Sequence, residues 1–127
     1  MRSACSYAYY IQNSLLVAAS GNNGILRICY PARYDTVIAV GAINKNEERC
    51  TEKDWGDGFG SNYGPELDLV APGHNIYSTI DRGSKKYAYM SGTSMACPHV
   101  AGVAALYFSK YPTDGAVSYT HLTLPTN

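Results

Sequence analysis

From residue 94 to residue 108 the chain is apolar on every side. Met95, Ala96, Val100, Ala101, Val103, Ala104, Ala105, Leu106 and Phe108 leave almost no polar face before Ser109 and Lys110. A helix of that kind belongs inside a fold, not on its surface. Ala96, Ala101, Gly102, Ala104 and Ala105 are small, which suits close packing against a sheet. Three short apolar runs upstream supply strands for that sheet: residues 15–19, closed by Ser20-Gly21-Asn22-Asn23-Gly24; residues 36–42, rich in β-branched side chains; and residues 67–71, stopped by Pro72-Gly73. Continuous apolar runs ending in such clusters suit buried parallel strands, although a short run alone does not exclude a helix. Strands interleaved with helices give an α/β class with a mostly parallel sheet.

The remaining segments read more weakly. Residues 3–13 suggest a helix. Residues 43–64 are polar and glycine-rich and read as a long surface loop. Residues 75–80 and 87–90 suggest extended pieces around an Asp81-Arg82-Gly83-Ser84 turn. Thr93 or Ser94 is expected to cap the apolar helix, with Pro98 in or just after its first turn, where a missing N–H costs least.

Composition narrows the function classes. At 127 residues, 46% hydrophobic and 16% charged, the chain suits one globular domain or a piece of one. Ten basic residues balance ten acidic ones with no basic stripe, which argues against nucleic-acid binding. The longest apolar run, residues 100–108, falls far short of the roughly 20 residues that span a bilayer. The first residues do not form a signal peptide, which says little if the native start lies upstream. Cys5, Cys29, Cys50 and Cys97 form no C-x-x-C pair, so a structural zinc site is not expected. Either a bridge through Cys29 or Cys50 or four free thiols fits the spacing.

The sharpest chemical signal is Gly92-Thr93-Ser94-Met95-Ala96-Cys97-Pro98-His99-Val100-Ala101-Gly102. It puts a serine at the mouth of a buried helix, where unpaired N–H groups carry partial positive charge. An ordinary capping serine would occupy the same place. The run as a whole, however, resembles the nucleophile motif of the subtilisin-like serine proteases (subtilases), G-T-S-M-A-x-P-H-x-A-G. Every specified position matches, and Cys97 and Val100 take the variable ones. The competing α/β-hydrolase elbow, G-x-S-x-G, needs glycine where Ala96 stands.

The resemblance extends upstream. Ala18-Ala19-Ser20-Gly21-Asn22-Asn23-Gly24 is similar to the family's A-A-x-G-N-x-G, which carries an oxyanion-hole asparagine; a plain Asn-Gly turn is the alternative. Tyr30-Pro31-Ala32-Arg33-Tyr34 and the run from Ser61 through Gly64-Pro65-Glu66-Leu67-Asp68 to Ala71-Pro72-Gly73 also follow family patterns. What the resemblance implies is a three-layer α/β/α fold, present here as a fragment. Ser94 is the implied nucleophile and Asn22 the implied oxyanion donor. Ala18, Ala19, Ser20, Gly21, Gly92 and Thr93 are implied substrate contacts. No organic cofactor is implied. Some relatives hold a weak cation on carbonyls near the positions of Ala32, Tyr34 and Val37. Glu47, Glu48, Glu52, Asp54 and Asp57 form either a calcium loop or, more commonly, a solvated acidic one, so the metal stays unassigned.

A Ser-His-Asp triad also needs a base and an orienting carboxylate. The family's D-x-G and H-G-x-H motifs do not occur upstream of Ala18, and neither His74, His99 nor His121 matches a catalytic position. The expectation is therefore that residues 1–113 are the C-terminal half of a subtilisin-like peptidase domain, inactive without the missing N-terminal half. The complete protein would be an extracellular serine endopeptidase acting on proteins or peptides. The rival from another class is a protease-like binding or structural module that has lost catalysis. Residues 117–126 follow no cap or periodicity logic and are similar to the translation of a transposase-type sequencing adapter. Residues 114–127 are thus expected to be a non-native tail.

Overall fold

A computed structural model of the chain describes residues 1–112; the expected non-native tail lies outside the described residues. The elements are α1 (Arg2–Tyr10), β1 (Val17–Ala19), β2 (Ile38–Ile43), α2 (Glu52–Trp55), β3 (Leu69–Pro72), β4 (Ile76–Arg82), β5 (Lys85–Met90) and α3 (Thr93–Lys110). Strands β1, β2 and β3 form a parallel sheet in that order, with Ala19 opposite Val40 and Ala42 opposite Ala71. Strands β4 and β5 pair as an antiparallel hairpin, Ile76 opposite Met90. The chain is an α/β protein, as its sequence implies.

Strand β2 is the centre of the sheet and is buried on both faces. Side chains alternate along a strand. Accordingly Ile38, Val40 and Ala42 pack with Ala96, Val100 and Ala104 of α3, which recur every four residues along one helix stripe. Ala39 turns to the other face and meets Ile28 and Ala32. Ala96 is fully buried and Ala104 nearly so, so the helix lies close on the strands because its contact stripe is short-chained.

Three expectations need correcting. First, α3 is not buried all round. Val103 and Leu106 are 60% and 74% exposed, because the described residues supply cover for the sheet-facing stripe only. Second, residues 43–64 are not simply a surface loop. Cys50, Ser61 and Asn62 are buried. Cys50 N–H donates to Ala42 O at 2.9 Å, and Ala42 N–H donates to Ser61 Oγ at 2.9 Å, so this segment runs against β2. It also holds α2, started by a reciprocal cap. The Thr51 side chain accepts from the Asp54 N–H, and Asp54 Oδ2 accepts from the Thr51 N–H at 2.9 Å. Third, Gly92, not Thr93 or Ser94, occupies the cap position of α3, whereas Pro98, its sixth residue, falls just after the first turn as expected. Pro98 therefore has no N–H to return to the Ser94 carbonyl.

All four cysteines are free thiols. Burial, and then the Asp54 charge, push the Cys50 thiol from its ordinary 9.0 up to about 11. Among the described residues no helix is long and apolar enough to cross a membrane.

Two outcomes follow from the packing. The chain alone exposes one edge of β1 together with the apolar back of α3, so it should self-associate in a concentration-dependent way in sedimentation velocity. A monodisperse monomer with a cooperative unfolding transition would contradict this. Cys50, by contrast, should resist a thiolate-directed alkylating reagent at pH 8 until denaturant is added, while half-buried Cys5 is modified. Because its folded pKa is raised, the stability it contributes is complete below pH 9.0 and is lost as pH climbs through about 11.

Candidate active site

The C-terminal end of β1 and the N-terminus of α3 meet through one threonine. Asn22 Oδ1 accepts two hydrogen bonds from Thr93, from its backbone N–H at 2.9 Å and from its hydroxyl at 2.7 Å. The Thr93 hydroxyl in turn accepts from the Gly21 N–H at 3.3 Å. A backbone N–H can only donate, so the oxygen of Asn22 must be the atom facing Thr93. That orientation leaves both hydrogens of Asn22 Nδ2 directed away from Thr93.

Gly92 makes room for this amide. Its φ of +152° lies where side chains are strained, and a Cβ placed there would stand 3.3 Å from Asn22 Nδ2. The chain then turns into α3, so that Ser94 is exposed while Gly92 and Thr93 are buried. Ser94 is the second residue of the helix, and its N–H has no intrahelical acceptor. An exposed primary hydroxyl, an orphan N–H at the positive end of an 18-residue helix and a donor amide NH₂ thus share one neighbourhood.

The loop behind Asn22 is held on both sides by residues 60–62. Gly24 N–H donates to Gly60 O at 2.8 Å, Gly60 N–H to Asn22 O at 3.0 Å, and Asn62 N–H to Gly21 O at 2.9 Å. Asn62 is fully buried, and its Oδ1 accepts from the Asn23 N–H at 2.9 Å. Sequence reasoning missed Asn62, since nothing marks one asparagine in a polar stretch as internal. Gly21 is required here: at φ +111° a Cβ would overlap the Asn62 amide nitrogen and the Cys29 sulfur.

The structure brings Asn22, Gly92, Thr93 and Ser94 together. Of the wall assigned to substrate, Ala18 packs toward Ile28 and Ala39, and Ala19 is half-buried. Ser20 is fully buried, its hydroxyl donating to Asn62 O at 3.3 Å. Among the described residues no histidine hydrogen-bonds Ser94. His99 Nδ1 lies 2.8 Å from Met95 O on its own helix, and the buried His74 Nδ1 has no partner. Among the described residues no three His, Cys, Asp or Glu side chains are grouped to hold a metal ion.

Two clefts adjoin this centre. One, of about 380 Å³, is lined by Ser94, Met95, Pro98 and His99 against the β4–β5 hairpin. The other, of about 400 Å³, is lined by Asn22, Ser91, Asp54, Trp55 and Phe59. The thiol of Cys97, one helical turn beyond Ser94, is pushed up by burial and stays protonated near neutrality.

Known proteins match the sequence of this chain along most of its length. The model of the subtilase family matches residues 1–126. Subtilisin DY of Bacillus licheniformis is 47% identical over 111 residues, which is 84% of this chain and 37% of that protein. A thermostable alkaline protease of Halalkalibacterium halodurans is 48% identical over 78% of this chain and 25% of its own length. Subtilisin Savinase of Lederbergia lenta is 50% identical over 78% of this chain and 33% of its own. The chain thus spans between a quarter and somewhat over a third of these relatives. On the family match, on identities near one half and on a nucleophile motif seated at the start of α3, the chain belongs to the subtilase family of serine proteases.

Proposed function

We propose that the complete protein is a serine endopeptidase in which Ser94 attacks the scissile carbonyl. The observation that carries this reading is the pair of hydrogen bonds from Thr93 to Asn22 Oδ1. They hold the amide oxygen of Asn22 on Thr93, which supports a role for its NH₂, together with the Ser94 N–H, as donor to the oxyanion of a tetrahedral adduct. Donors fixed before charge develops need no reorganisation when it does, which is why such sites lower barriers. The upstream base that takes the Ser94 proton on attack returns it to the leaving nitrogen as the adduct collapses, which releases the amine half and leaves an acyl group on Ser94 Oγ. Water then attacks that ester, giving a proton to the same base, and the proton passes to Ser94 Oγ as the acid half leaves.

The base and its orienting carboxylate come from polypeptide outside this chain. Two facts support this: no described histidine bonds Ser94, and the curated relatives are two and a half to four times longer than the stretch they share with it. The isolated chain is accordingly inactive. Polypeptides are the substrate class, no organic cofactor enters the reaction, and the relatives' nature as subtilisins and alkaline proteases supports an extracellular protein.

In the enzyme carrying its native upstream sequence, Ser94→Ala should abolish turnover of a chromogenic peptide. Asn22→Ala should lower kcat with little change in KM; loss of such a donor in a subtilisin is the measured precedent, at about 10²–10³ in kcat. Thr93→Val, which keeps the shape and removes one of the two anchoring bonds, should lower kcat by about tenfold, in line with roughly 1.4 kcal/mol for a hydrogen bond. Steady-state kinetics on the three variants checks the set. An unchanged kcat in Asn22→Ala would remove Asn22 from the mechanism. An upstream sequence without the Asp or His would instead make the chain part of a binding module.

A further inference from the structure

The turn that carries Asn22 contains the one Asn-Gly pair of the sequence, Asn23-Gly24. An asparagine before a glycine has a reaction open to it that needs no enzyme. The backbone nitrogen of the glycine attacks the side-chain carbonyl carbon Cγ of the asparagine. A five-membered succinimide closes and ammonia leaves. Water then opens the ring at one carbonyl or the other, giving aspartate or isoaspartate. Glycine favours the attack because no Cβ crowds the nitrogen. Here the Asn23 side chain stands in solvent, while the attacking nitrogen is tied down. Gly24 N–H donates to Gly60 O at 2.8 Å, and Asn23 N–H donates to Asn62 Oδ1 at 2.9 Å. A nitrogen held in this way can neither swing toward Cγ nor give its proton to water.

We propose that Asn23-Gly24 is a modification site guarded by residues 60 and 62, where succinimide formation and hydrolysis leave an isoaspartate that disables the turn. The reaction runs through brief openings in which the guarding bonds break together. Asn23 pairs with Gly60, and Leu26 with Tyr63, as isolated bridges and not as a continuous ladder, so this region opens more readily than the sheet. The two products differ in effect. Aspartate keeps the length of the main chain and puts its charge in solvent. Isoaspartate routes the main chain through Cβ and Cγ, which adds one carbon atom between residues 23 and 24. That length is not free to change. Gly60 holds the backbone on both sides, its N–H on Asn22 O at 3.0 Å and its carbonyl on the Gly24 N–H. The two segments also lie close together: a Cβ on Gly60 would stand 3.2 Å from Gly24 Cα. The added atom therefore breaks one of the two bonds, and Asn22 loses the seat from which its amide meets Thr93. The effect on catalysis rests on the reading that Asn22 donates to the oxyanion; the modification itself does not.

The test uses the enzyme with its native upstream sequence, aged for days at mildly alkaline pH. Its Ser94→Ala variant, which cannot digest itself, is aged beside it and mapped by mass spectrometry. The expected result is exchange of NH₂ for OH at residue 23, with isoaspartate the larger product. Asn62→Ser, which removes one guarding bond, should speed the conversion about fivefold, the scale of one hydrogen bond. In the active enzyme, kcat per intact chain on a chromogenic peptide should fall in proportion to the isoaspartate fraction. Asn23→Ser, which cannot close the ring, should keep its kcat per intact chain through the same ageing. Freshly prepared Asn23→Asp should start with a kcat close to that of the unmodified enzyme. If residue 23 is unchanged in the folded protein after a free peptide of residues 18–28 is fully converted, or if folded protein and free peptide convert at one rate, the guarded site is overturned. Isoaspartate that accumulates while kcat stays constant overturns its disabling effect. If fresh enzyme does not cleave the chromogenic peptide at all, the proposed function falls, and the mass map still decides the modification.

Discussion

Two hydrogen bonds on one carbonyl oxygen connect residues that lie 71 apart in the chain. Asn22 ends the segment that leaves β1; Thr93 begins α3. Neither partner is fixed by its own element, because β1 is three residues long and α3 has no side-chain cap. The bond pair supplies what each lacks. Thr93 closes the orphan end of the helix indirectly, by giving its hydroxyl and its N–H to Asn22 where a local cap would have kept them, and Asn22 gains an orientation that a solvated amide does not have. The parallel register of β1 on β2 and the packing of α3 across both strands bring the two ends within reach. Ligands of open α/β sheets gather at this carboxyl edge for the same topological reason.

Behind that pair stands the segment between β2 and β3, which is less of a loop than its composition suggests. It returns twice to the sheet, once at Cys50 and once at Ser61, before Asn62 reaches the backbone of the Asn22 turn. Polar side chains are placed inside here because each has a backbone group to satisfy. The buried amide of Asn62 adds a side-chain bond to the backbone pairing of residues 21–25 with residues 60–63. The site is therefore held from the sheet side by α3 and from the loop side by residues 60–62, and the glycines at 21 and 92 are the places where these supports come closest.

Much of this was legible in the sequence, and for identifiable reasons. The apolar runs before Ser20 and Pro72 gave strands because burial on both faces leaves a continuous hydrophobic signature. The helix from Thr93 was plain from its length and its small residues. Ser94 and Asn22 stood out through motif spacing, and the structure places them beside one another. Three features were not legible. The Thr51–Asp54 cap was written in the sequence as a Thr-x-x-Asp pattern but was hidden among other acidic residues. Asn62 carried no local signal, since its role depends on a contact 39 residues away. The exposure of Val103 and Leu106 could not be read from a helix whose hydrophobicity reports where it would rest in a fuller assembly, not what covers it in residues 1–112.

Pro98 changes how Ser94 is carried. An ordinary helix would stiffen its second residue from within, by the ladder bond that Pro98 cannot make. Ser94 instead takes its rigidity from ties that run sideways, through Thr93 to Asn22 and through Gly92 N–H to Gly73 O at 2.8 Å. The mechanical frame of the hydroxyl is thus the seam between two loops, and the long helix serves as its anchor. The position of that hydroxyl therefore depends on a few contacts between loops more than on the ladder of the helix that bears it.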